Sequence, residues 1–189
     1  MIRVGIIGDI GCGKTFVANK FGYPVFNADL EVEKIYKTNR NCFRKLNQLF
    51  PKYIVSFPIS KKVISLIILE NNFNLRKIIK VIHPLVRKKM DKFLTKNKNK
   101  KLIILDIPLL LENKINKKED ILVFVDSKKN KILNKLKKRN NFNLKLIKKF
   151  KKIQLPLEYK KKKSQFIVRN NFNNKFLKKD ITRILKEIL

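Results

Sequence analysis

The chain has 189 residues, 47 Lys and Arg against 14 Asp and Glu, a formal net charge of +33, and 44% apolar residues. That apolar share excludes a disordered basic tail. No apolar run nears the roughly 18 residues of a membrane span, and two cysteines, Cys12 and Cys42, make no disulfide framework. The length suits one medium domain or a core with a small appendage. The start, broken by Asp9 and by glycines, does not read as a signal peptide, so a cytoplasmic protein is expected.

In chain order, Arg3–Ile7 reads as a short buried strand running into Gly8. Lys14–Phe21 reads as a helix behind a glycine-rich turn, and Pro24–Asn27 as a second strand ending just before Asp29. From about Leu30 to Met90 the pattern is helical, with breaks near Pro51 and Pro58. Leu102–Leu105 is a fully apolar strand ending in Asp106, and Ile121–Val125 another ending in Asp126. Lys128–Arg139 and Leu144–Ile153 read as basic helices. Phe166–Val168 is a short strand, and Phe176–Leu189 a closing helix. Short apolar strands alternating with helices predict a parallel sheet covered on both faces. Three Asn-Asn-Phe-Asn segments, at 71–74, 140–143 and 170–173, read as compositional, because their flanks differ.

The charge has a plain explanation. The chain holds 39 Lys, 25 Ile, 21 Asn and 14 Phe, but 2 Ala and 5 Gly. The abundant types share A+T-rich codons, so lysine accumulates on every solvated face. Arg, the better residue for bidentate phosphate and base recognition, numbers 8. No specific nucleic-acid partner is expected.

The glycines carry a sharper signal. Gly5, Gly8, Gly11, Gly13 and Gly22 are the only five, and all fall in the first 22 residues. Glycine is needed where the backbone takes φ > 0 or approaches a ligand closely. Gly8-Asp-Ile-Gly11-Cys12-Gly13-Lys14-Thr15 fits the phosphate-loop pattern G-x-x-x-x-G-K-[ST], set between a strand and a helix as that pattern requires. Backbone N–H groups of such a loop form an anion nest. Lys14 would reach the β- and γ-phosphates, and the Thr15 hydroxyl would bind Mg²⁺. No G-x-G-x-x-G frame is present, so a Rossmann fingerprint does not fit.

These pieces, with five further ones in order, resemble the dephospho-coenzyme A kinase family, P-loop kinases of the nucleoside-monophosphate-kinase type. Val25–Asp29 is similar to the family's VIDAD. Ile82–Arg87 is similar to HPxVR, and Ile107–Glu112 to PLLxE. Lys138–Asn140 stands where the family's lid opens with an arginine. Gln154–Lys160, continuing to Ile167 and Asn170, follows Q-x-P-x-E-x-K…ADxxI-x-N. The resemblance implies phosphoryl transfer from ATP to the ribose 3′-hydroxyl of dephospho-coenzyme A, by a monomer using ATP and Mg²⁺ and no membrane.

It also implies roles. Gly8, Gly11, Cys12, Gly13, Lys14, Thr15 and Phe16 would bind ATP, with Arg139 closing over the transferring group. Asp29 would be the general base, with Lys14 and Arg139 as its catalytic partners. His83, Arg87, Glu112 and Asp29 would contact the acceptor, and Thr15 and Asp106 the metal. Read from the residues alone, the alternative for Asp29 is a helix cap or a place in the Mg²⁺ shell, Asp106 is equally a structural strand-end acid, and Lys160–Lys163 also reads as a solvated charge run. A related adenylate or shikimate type of kinase, or a basic nucleic-acid-binding P-loop module, is the alternative.

The departures are specific. Asn27 replaces an Asp of the family's DAD, and Asp9 and Cys12 replace Gly and Ser of the loop. Ser164 and Gln165 replace Ala-Asp, which touches adenine-side recognition. Asp9 is expected to point outward, and to be strained if its φ is positive. Cys12, between a helix start and Lys14, is expected to have a lowered thiol pKa and ATP-protected alkylation. The expected architecture is a three-layer α/β fold with a five-stranded parallel sheet of order 2-3-1-4-5. Its P-loop core would be 1–29, 91–138 and 164–189, with a helical coenzyme A-binding insertion at 30–90 and a lid at 139–163.

Overall fold

A computed structural model describes residues 1–138, 142–172 and 174–189. The chain divides into two compact units, Met1–Asn27 with Asn97–Leu189, and Ala28–Lys96.

The first unit is built on a parallel sheet. Its strands are β1 (Ile2–Gly8), β2 (Val25–Asn27), β3 (Leu102–Asp106), β4 (Ile121–Asp126) and β5 (Phe166–Arg169), in the order β2-β3-β1-β4-β5. Every pairing is parallel. This is the order expected from the sequence. The central strands are apolar except at Arg3 and at their last acids, Asp106 and Asp126, because both faces are covered: all five residues of β3 are buried.

Alternate residues serve the two faces. Val4, Ile6, Leu102, Ile104, Val123, Val125 and Val168 pack with α1 (Lys14–Lys20), α6 (Lys129–Lys137) and α9 (Asn174–Ile188) in one core. Gly5 and Leu122 face Leu110 from the chain after β3; a Cβ on Gly5 would lie 2.6 Å from Leu110 Cδ2. Two further helices, α7 (Leu144–Ile153) and α8 (Leu157–Lys163), lie between α6 and β5. Helices α7 and α8 fall in the stretch expected to form a lid of helices, but the sequence read the lysines of α8 as a solvated charge run. That run hides one inward residue: Lys160 is 3% exposed. At the amino edge of the sheet Arg3 forms an ion pair with Asp120, at 2.9 Å.

The second unit holds α2 (Ala28–Thr38), α3 (Arg40–Leu49), α4 (Lys61–Glu70) and α5 (Asn72–Lys96). α2, α3 and α4 each pack on α5. Ile35, Leu46, Ile67, Ile78 and Ile82 fill its core. The expected breaks at Pro51 and Pro58 fall in the 50–60 connection. Asn39 and Ser60 cap α3 and α4, accepting from Cys42 N and Lys62 N. Pro84 lies inside α5. Proline there removes one backbone donor of the helix, and α5 is held over its 25 residues by α2, α3 and α4.

Candidate active site

Every strand of a parallel sheet points the same way, so the carboxyl edge gathers the loops that follow the strands. Here that edge carries the phosphate loop. Gly8 closes β1 with φ 150°, and a Cβ there would lie 2.8 Å from the Val125 carbonyl oxygen, a backbone atom that cannot yield. Gly13 has φ 92° and stands at the start of α1, where a side chain would overlap Asn170 Nδ2. Only glycine meets both conditions.

Lys14 folds back over the loop, its Nζ donating to the carbonyls of Gly8 (3.3 Å) and Asp9 (2.8 Å). Thr15 Oγ1 donates to Asp106 Oδ2 at 2.6 Å, and Asn27 Nδ2 donates to the same oxygen at 2.6 Å. Asp106 is 3% exposed, and Asn27 is its register partner, each ending its strand. Phe16 turns its ring outward, with Lys20 Nζ 5.4 Å from its centroid.

Two departures from expectation concern this loop. Asp9 does not point outward, and its φ is not positive. Its side chain is 13% exposed; Oδ1 accepts from Ile10 N at 2.7 Å, and Oδ2 lies 3.4 Å from Lys151 Nζ of α7. The loop's added carboxylate is thus held by its own backbone and by one particular lysine. Cys12 is fully buried. Burial raises its thiol pKa, and the opposing charge of Lys14 is the smaller influence. The expected lowering is therefore wrong: the sequence showed the cation nearby but not the core that closes over the sulfur.

Glu112 lies beyond β3, and its Oε1 is engaged twice, by Lys160 Nζ at 2.6 Å and by Leu155 N at 3.0 Å. Oε2 is buried without a partner among the described residues. Ser164 and Gln165 are occupied by backbone. Ser164 Oγ donates to Lys160 O, and Gln165 Oε1 accepts from Leu122 N.

The remaining expected residues lie in the helical unit or outside the description. Asp29 is exposed in the first turn of α2, two residues along the chain from Asn27. His83 and Arg87 stand one turn apart on α5, half-buried and exposed. Burial, and after it the Arg87 charge, holds His83 below its ordinary 6.5. Arg139 lies outside the described residues. The sequence missed Ser127 and Lys151, and it named Asn27 and Asn170 without showing what they hold. For Asn27 the signal was present, since two strands ending on polar residues place those residues side by side.

Comparison with known proteins decides the family. A family model described as dephospho-CoA kinase matches residues 2–175. The chain belongs to the dephospho-CoA kinase family. The family's dephospho-CoA kinase from a Wolbachia species of Brugia malayi is 33% identical over 172 residues, 87% of each chain. That of Rickettsia prowazekii is 30% identical over 191 residues, covering 100% of this chain and 98% of the relative. The fold is shared with a Thermus thermophilus protein, TT1252 (TM-score 0.81, 24% identity, 100% and 98% of the two chains). It is shared also with dephospho-CoA kinase from Campylobacter jejuni (TM-score 0.64, 21% identity, 98% and 96%).

The chain is accordingly a kinase of coenzyme A biosynthesis that phosphorylates dephospho-CoA with ATP. Within the dephospho-CoA kinase pattern Asn27 gains a meaning. A carboxylate there would face Asp106 in register, whereas the amide replaces that repulsion with a hydrogen bond.

Two measurements follow from these environments. Native protein should leave both Cys12 and Cys42 unreactive toward a thiol reagent at mildly alkaline pH, with or without ATP, and both should react after denaturation; Cys42 is 1% exposed and pushed up to about 11. Rapid labelling of native Cys12 that ATP blocks would contradict the burial. His83, the sole histidine, should give one NMR titration with its midpoint below 6.5, and Arg87→Ala should raise it only part of the way. A depressed histidine makes the unfolded chain take up more protons below pH 6.5, so this group's contribution to stability falls with acid. A midpoint at or above 6.5 would contradict the assignment.

Proposed function

We propose that the carboxyl edge of the sheet performs the transfer, with this chain's residues in the following roles. The phosphate loop cradles the ATP phosphates, and Lys14 exchanges the Gly8 and Asp9 carbonyls for β- and γ-phosphate oxygens. Phe16 continues the row of backbone donors. The observation that carries this reading is the loop itself: a lysine already turned over a glycine-shaped nest, beside a hydroxyl and a buried carboxylate.

Thr15 and Asp106 offer a hydroxyl and a carboxylate 2.6 Å apart. All-oxygen donors in this number suit Mg²⁺, which keeps waters and substrate phosphates in its remaining positions. Bound there, the ion would neutralise charge on the phosphates.

Asp29 accepts the proton of the acceptor's ribose 3′-hydroxyl as that oxygen attacks the γ-phosphorus. The new bond is O3′–Pγ. The bond that breaks joins Pγ to the bridging oxygen, which leaves with ADP. Arg139 neutralises charge on the transferring group. His83, neutral because of its surroundings, offers a hydrogen bond, and Arg87 a positive charge, to the acceptor. Residues 30–90 hold coenzyme A, with Glu112 as a further acceptor contact. Residues 139–163 form a lid whose closure excludes water, so that ATP is not simply hydrolysed. The enzyme works as a cytoplasmic monomer without a nucleic-acid partner. No described helix is long and apolar enough to cross a membrane.

An ADP-release assay over several acceptors tests the reading. Turnover with dephospho-CoA, and none with AMP or shikimate, is expected. Asp29→Asn should lower kcat by about 10²–10⁴ with little change in ATP affinity. Turnover with AMP but not dephospho-CoA would overturn the acceptor, and near-wild-type kcat in Asp29→Asn would overturn the base.

A further inference from the structure

We propose that Asn170 and Ser127 are positioning residues of the phosphate loop, acting together on one carbonyl, that of Cys12. Asn170 Nδ2 donates to Cys12 O at 2.8 Å, and Ser127 Oγ donates to the same oxygen at 2.9 Å. The two donors come from different strands. Ser127 follows β4, and Asn170 follows β5.

The peptide joining Cys12 to Gly13 is planar and trans, so its C=O and N–H point in opposite directions. Drawing the carbonyl outward, toward the ends of β4 and β5, turns the Gly13 N–H the other way, toward the concave side of the loop. A glycine in that peptide is otherwise free to rotate, since Gly carries no Cβ to restrict it. The pair of donors supplies the restriction that the glycine lacks. Both lone pairs of the carbonyl are taken, which leaves no competing orientation with equal bonding.

Asn170 is itself immobile. It is fully buried, and its backbone N–H and both ends of its side-chain amide are engaged: besides the Cys12 contact, its N–H donates to Asp126 O at 2.8 Å, and its Oδ1 accepts from Phe172 N at 2.9 Å. Its amide nitrogen also fills the space that a Gly13 side chain would need. A buried amide bonded at both its nitrogen and its oxygen has one favoured orientation, and it passes that restriction to what it holds. Phe172 has φ 59°, a conformation costly for an aromatic residue, and the Asn170 side chain holds it there. One asparagine thus joins the ends of β4 and β5 to the nest.

This proposal rests on the phosphate-loop reading and not on the identity of the acceptor. The probe is inorganic tripolyphosphate, which reads the nest without a nucleoside, followed by calorimetry. Ser127→Ala should weaken tripolyphosphate about fivefold. Asn170→Asp, which keeps the acceptor for Phe172 N but sets a carboxylate against the Cys12 carbonyl, should weaken it at least tenfold. The double variant should lose more than the product of the two, because each donor backs up the other. KM for ATP should rise in the same order, while KM for dephospho-CoA stays within twofold.

Ser127→Ala decides the matter if Asn170→Asp does not fold. An affinity within twofold of wild type in that variant overturns the proposal. So does a rise in both KM values that follows a fall in Tm, the signature of a merely structural role. Failure of the wild-type chain to bind tripolyphosphate would overturn the phosphate-loop reading and the proposal with it. Failure of the acceptor assay alone would leave the proposal standing.

Discussion

The structure depends on one constraint: a stretch of backbone between a strand and a helix must turn its N–H groups to one side and its carbonyls to the other. Carbonyls turned outward need partners, since buried peptide groups are costly to leave unpaired. Neighbouring strand ends supply two donors to one such carbonyl and one acceptor for the start of α1. Asp106 of β3 takes the Thr15 hydroxyl, and Ser127 and Asn170, beyond β4 and β5, take the Cys12 carbonyl. The order β2-β3-β1-β4-β5 puts β1 between β3 and β4, so the loop has a firm edge on each side. The sheet order is in this sense a requirement of the loop.

Charge plays a smaller and more local part than its total suggests. Most of the +33 is spread over solvated lysines, and exposed pairs such as Lys34–Glu31 contribute little. Besides Lys14, two lysines are different. Lys160 is buried against Glu112, and Lys151 of α7 stands at the Asp9 carboxylate of the phosphate loop. A buried ion needs its partner, so Glu112 and Lys160 are interdependent, and the Leu155 N–H bonded to the same oxygen ties the start of α8 to the chain after β3. The general positive field remains as an attraction for polyanionic substrates that salt should weaken.

Most of the fold was legible because its signals are local. Runs such as Leu102–Leu105 and Ile121–Val125 are apolar at every position, which only strands covered on both faces need. The loop was legible for the same reason, since five glycines in a glycine-poor chain mark a backbone requirement. What escaped was set by packing. Lys160 looks like its neighbours in the sequence and differs only in facing inward. Cys12 looks activated until the core closes over it. Asn170 stood in the sequence as the end of a family-like stretch, and what it holds depends on β5 ending beside β4 and the loop.

The central claim is that phosphate recognition lies in the shape of this loop and not in the lysine excess. Equilibrium binding of ATP to the wild-type chain and to Gly13→Ala, each at low salt and at about 1 M salt, where the Debye length is about 3 Å, tests it most directly. The account predicts that wild type still binds ATP at high salt with modest loss, and that Gly13→Ala fails to bind even at low salt while remaining folded. Equal binding by both chains at low salt, lost equally at high salt, would contradict it.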